Sequence, residues 1–216
     1  GGKNLTAQTN NPSALHSRYF TDVKGVNLES SVSALNPSLW LDATRPFTHQ
    51  GRDLDGTDEY FSIIDHYASA LEFEYNEPVS ICFWVKFDAN KAQALLTKKE
   101  GTSGSTGVMI DGAGASNTKI RFILSGYNTA NSSHNMIVTS GDTYATNTWY
   151  NYIFTYDGSG NRSGMKIYRN GSEDTGAAGS GVTSISTTTK VPDALRVGRN
   201  YASTGYIDGD LAHIVV

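Results

Sequence analysis

Nine consecutive residues, Val79-Ser80-Ile81-Cys82-Phe83-Trp84-Val85-Lys86-Phe87, put Val79, Ile81, Phe83, Val85 and Phe87 on alternate positions. A strand turns successive side chains to opposite faces, so this period of two gives one wholly apolar face and another of Ser80, Cys82, Trp84 and Lys86. A helix would scatter the same residues around its circumference, which makes a central β-strand the reading that the rest must fit. Residues 149–156 alternate in the same way, with Trp149, Asn151, Ile153 and Thr155 opposite Tyr150, Tyr152, Phe154 and Tyr156. Shorter apolar runs fall at residues 39–41, 60–64, 94–97, 107–110, 119–124, 135–139, 165–169, 194–198 and 205–216. The 165–169 run leads into Asn170-Gly171, a two-residue hairpin signature. Between the runs lie turn formers: Gly, Ser, Thr and Asn make up 83 of the 216 residues. Eleven or twelve short antiparallel strands can hide their apolar faces only by stacking two sheets. The predicted fold is all-β, a two-sheet antiparallel jelly-roll β-sandwich larger than an immunoglobulin-type one.

Residues 1–37 are different. They are polar, contain Pro12 and Pro37, and space Val26, Leu28, Val32 and Leu35 too irregularly for an amphipathic helix. They are expected to form an extended N-terminal arm or linker, with the sandwich over residues 38–216. The chain opens Gly1-Gly2-Lys3 and closes on the apolar run Leu211-Ala212-His213-Ile214-Val215-Val216, as expected of a portion of something longer. A formal charge of -4 speaks against a basic nucleic-acid binder, and no apolar run approaches the roughly 20 residues of a membrane helix. A lone cysteine excludes an internal disulfide. Cys82, mid-strand among apolar neighbours, reads as an inert buried thiol.

Several of these runs together resemble the laminin-G-like jelly rolls of the concanavalin A-like lectin and glucanase superfamily. Leu54-Asp55-Gly56-Thr57-Asp58-Glu59-Tyr60-Phe61-Ser62-Ile63 is similar to that family's F-D-G-x-D-D-Y-V-x-I strand entry. The 79–86 run with Leu95-Leu96-Thr97-Lys98 resembles its F-T-I-S-F-W-V-K and L-L-S-K pair. Residues 148–158 and 166–171 resemble its T-W-H-H-V-A-V-T-Y-D-G and K-L-Y-V-N-G hairpin, and residues 195–198 and 205–209 its L-R-I-G and F-x-G-x-I-D-E closure. Leu39-Trp40-Leu41-Asp42 fits the opening strand. The resemblance spans about residues 38–216 and departs from the family at Gly209-Asp210, where Glu-Val is common. It implies a binding or structural module, because the same scaffold carries glycan binders, protein binders, β-glucanases and surface knobs.

The hydrolases on this scaffold carry Glu-x-Asp-x-x-Glu on one strand, and Glu72, Glu74 and Glu77 repeat that spacing. Pro78 follows at once and forces an extended or turn backbone, so these glutamates read as a solvated acidic loop, with a glycoside hydrolase relative as the alternative. The resemblance also implies a structural Ca2+ bridging the opening and closing strands, held by Asp208 with Asp42 as partner. Aromatic platforms beside amides suit pyranose rings, and Tyr127, Asn128, residues 131–135, Tyr144, Asn200 and Tyr201 are the glycan-site candidates. The expected function is a non-catalytic, surface-displayed module that decorates or attaches a virus particle or secreted assembly and binds a glycan or surface protein. It would act outside the cytoplasm, on an extracellular or virion surface, without membrane insertion. The alternative is a purely structural assembly subunit whose arm laces into neighbouring subunits.

Overall fold

The computed structural model describes residues 40–41, 51–63, 71–99, 106–113, 118–126, 134–178, 181–202 and 204–216. They form fourteen strands: β1 (Trp40–Leu41), β2 (Arg52–Asp55), β3 (Phe61–Ile63), β4 (Val79–Phe87), β5 (Gln93–Lys99), β6 (Gly107–Ala113) and β7 (Lys119–Gly126). The second half holds β8 (His134–Ser140), β9 (Trp149–Tyr156), β10 (Met165–Arg169), β11 (Ser172–Glu173), β12 (Thr175–Ala178), β13 (Leu195–Val197) and β14 (Asp208–Val215). No α-helix occurs among the described residues. Two seven-stranded sheets result. Sheet A runs β1-β14-β4-β9-β10-β11, with β2 also paired to β14, and sheet B runs β12-β8-β7-β6-β5-β13-β3.

The period of two decides which side chains meet between the sheets. Ile81, Phe83, Val85 and Phe87 of β4 are 0% exposed while Trp84, on the other face, is 42% exposed. Phe154 of β9 packs edge-on against Phe83 at 6.1 Å and against Phe122 of β7, in the opposite sheet, at 5.8 Å. Between Arg169 and Ser172, Asn170 and Gly171 take φ of 51° and 84°, the two left-handed residues of the tight hairpin that Asn-Gly predicts.

Two strands differ from the sequence reading. β2 sits just ahead of the 55–58 turn, and β12 lies in a stretch rich in Gly and Ala that reads as loop. Both are edge elements held by backbone pairing, to β14 and to β8, so neither needs an apolar pattern. The closing strand β14 holds sheet A together. It pairs along β4 on one side, and on the other takes β2 (Leu54 opposite Gly209) and then β1 (Leu41 opposite Ile214). His213, with φ of 47°, lies at the register shift between Ala212 and Ile214.

Candidate functional site

Sheet B turns a second set of side chains away from the core. On this outer face the register aligns Thr97 with Met109, Ile123 and Ile137, and Lys99 with Gly107, Ser125 and Asn135. A third row sets Asp111 beside Arg121 and Thr139. Asp111 accepts two hydrogen bonds from Arg121, at 2.9 Å from Nε and 2.6 Å from Nη2. Burial pushes the Asp111 carboxyl above its usual range, against the pull of Arg121 and Lys99. Lys99 donates to Ser125 Oγ at 2.7 Å. Burial pushes the Lys99 amine down to about 8, with Asp111 opposing that shift and Arg121 adding to it.

At the β3 edge of the same sheet, aromatic rings reach solvent. Tyr60 and Phe61 are each 38% exposed. The Tyr206 ring lies 6.2 Å from that of Tyr60, and the Arg199 guanidinium sits 4.0 Å above the Tyr60 ring. The loop carrying Arg199 is fixed from below, since Gly198 donates to the Leu95 carbonyl and accepts from Ile207 N–H. Gly198 has φ of 92°, and a Cβ there would come within 2.9 Å of Leu54. Asn200 Nδ2 donates to Thr204 Oγ1 at 2.8 Å and its Oδ1 accepts from Thr204 N–H at 3.0 Å.

The sequence-predicted residues do not converge. Tyr127, Asn128 and residues 131–133 lie outside the described residues, as do Asp42 and the arm over residues 1–37. Tyr144 is corrected: at 3% exposed it stacks on Phe87 with centroids 4.2 Å apart, and Gln93 donates to its hydroxyl. Its ring closes the core and presents no platform to a sugar. Asn200 and Tyr201 are half-buried in the loop beside Tyr60 and Tyr206, and the Asn200 side chain is occupied in holding that loop. Cys82 is only half-buried, because β4 turns it to the outer face of sheet A. Burial raises its thiol pKa, and Asn151 donates to its sulfur at 3.3 Å.

The three glutamates stand apart in their contacts. Glu72 lies 3.5 Å from the Lys98 ammonium, Glu74 accepts from Thr188, and Glu77 folds back to accept from the Glu74 N–H at 2.7 Å. Asp208 lies 3.4 Å from Lys91. Asp53, Asp88 and Asp210 bring carboxylate oxygens within 4.8 Å of one another. The Lys86 ammonium pairs with Asp210 and lies 3.6 Å from Asp88. The Asp210 bond holds the Lys86 pKa above its ordinary value. The donor set fits an ammonium already in place and does not fit a resident dication, so no role is derived through one.

Sequence comparison places this geometry in a family. Residues 55–216 match the concanavalin A-like lectin/glucanases superfamily. The chain belongs to it, as a laminin-G-like jelly roll. No curated protein sequence matches the chain. Among solved structures, the CBM40 domain of the Ruminococcus gnavus IT-sialidase bound to α2,3 sialyllactose is similar at a TM-score of 0.51 and 15% identity. That likeness covers 83% of this chain and 90% of the other. A single-residue mutant of the NanB sialidase of Streptococcus pneumoniae gives a TM-score of 0.52 at 13% identity, over 83% of this chain and 26% of that one. These likenesses establish the jelly-roll fold. No described helix is long and apolar enough to cross a membrane.

What sequence reasoning missed is the outer face of sheet B. Its signal was present: Thr97 and Lys99, then Met109 and Asp111, then Arg121, Ile123 and Ser125 keep one parity through three consecutive strands. Only the register between strands joins them into one surface.

Proposed function

We propose that this jelly roll is a non-catalytic glycan-binding module, displayed outside the cytoplasm on a virus particle or a secreted assembly. The observation that carries the reading is the solvent-facing aromatic edge, where the Tyr60 and Tyr206 rings lie side by side with Arg199 above. Pyranose rings present apolar faces bordered by hydroxyls, and an edge of rings beside a polar loop offers both kinds of contact. Binding without cleavage is supported by Glu72, Glu74 and Glu77, each held by a different partner. A glycosidase needs two carboxylates facing one bond. The chain is expected to bind members of a glycan array, and Tyr60→Ala to weaken that binding by about tenfold. An array on which the full chain retains nothing overturns the reading. So does β-glucan hydrolysis that Glu77→Gln abolishes.

A further inference from the structure

We propose that Lys99, Thr97 and Ser125 form a receptor for the carboxylate of an acidic sugar on the outer face of sheet B. The inference rests on the glycan-binding reading and names the class of sugar. It starts from register. Lys99 and Ser125 lie on strands that flank β6, and the residue between them is Gly107, so no side chain keeps Nζ from Ser125 Oγ at 2.7 Å.

The charge count on this face is unbalanced. Asp111 is committed to Arg121 by two hydrogen bonds, which leaves the Lys99 ammonium, 4% exposed, with a neutral hydroxyl as its hydrogen-bond partner. An ammonium has three N–H donors, and a buried one without a counter-ion is costly. Two steps along β5, Thr97 is 0% exposed and its Oγ1 has no hydrogen-bond partner. Beside Ser125, Asn135 Oδ1 is also buried without a donor. Unpaired buried polar atoms are rare in folded proteins, and three groups with spare capacity on one face point to a missing polar occupant.

A carboxylate fits what is missing. It supplies one negative charge to the ammonium, accepts from the Thr97 hydroxyl, and leaves a neighbouring sugar hydroxyl to donate to Asn135 Oδ1. Half-buried Met109, Arg121 and Asn135 surround the buried centre, so the acid group would reach inward while its ring stays at the surface.

The test is calorimetry on the full chain, with oligosaccharides ending in a uronic or sialic acid set against neutral counterparts. Acidic ligands are expected to bind at least about tenfold more tightly, with Lys99→Met erasing the preference and Thr97→Val reducing it several-fold. Thr97→Val is nearly isosteric, so its binding result can be read beside an unchanged thermal melt, whatever Lys99→Met does to folding. Equal binding of acidic and neutral sugars, or a preference untouched by Thr97→Val in a folded protein, overturns the receptor. Neutral binding that still depends on Tyr60 would leave the glycan reading standing. Failure of both sugar sets to bind overturns both.

Discussion

A lysine enclosed by protein has to give up hydration, and Lys99 shows the consequence in its protonation. Its amine titrates near 8 in the fold, against 10.5 for an unburied lysine. The folded chain therefore loses this proton first. Between about pH 8 and 10.5 the unfolded chain binds more protons, so stability rises with pH across that window. Below pH 8 the cost of the buried charge is fully present and constant. The facing groups, Asp111 and Arg121, remain paired throughout. Urea unfolding is expected to show wild type gaining on the order of 2 kcal/mol on Lys99→Met between pH 7 and pH 10. A constant difference between the two proteins would contradict this assignment. No local pattern announces the Lys99–Ser125 contact, because the partners are 26 positions apart and meet through two strand registers, one with a shift between Ala94 and Leu96. Tyr144 fails in the opposite sense. Asp142-Thr143-Tyr144-Ala145 has the composition of an exposed loop, yet an irregular segment can still lay one ring into the core.

At the level of elements, alternation is the dependable guide. β4, β9 and β10 fall on the residues their patterns mark, since strands near the middle of a sheet carry a buried face that only side-chain chemistry can specify. β2 and β12 escape detection because backbone pairing alone holds an edge. Gly209 shows how closely β14 lies on β4. Its φ is 143°, and a Cβ built there would stand 2.0 Å from the Lys86 carbonyl oxygen. Gly209→Ala is expected to cost about 3 kcal/mol, read from the denaturant midpoint, because both the backbone angle and the approach to β4 must change. A midpoint within error of wild type would mean that β14 can shift without loss. The family's Glu-Val at the next two positions gave no warning that this chain places Asp210 opposite Lys86.

For the whole molecule, the acidic corner where β2, β4 and β14 meet carries its own cation. Lys86 neutralises Asp210 and lies near Asp88, so a chelator is expected to leave the thermal melting midpoint unchanged. A midpoint that falls with chelation would show that a metal ion contributes to the fold. The two-layer architecture was legible from strand count and alternation, whereas the use of each outer face was not. Position on a pleat tells which way a residue points and leaves open which distant strand lies beside it.

The place of β14 also sets the order in which this sheet can be completed. Residues 208–211 zip against 52–55, and 82–87 wait for 209–215 on the other flank. A nascent chain that has not yet extruded residue 208 carries two open strand borders side by side, each able to recruit a wrong partner. Synthesis must outlast that exposed interval, which makes ribosome pausing late in the message the point at which this domain is most in need of a chaperone.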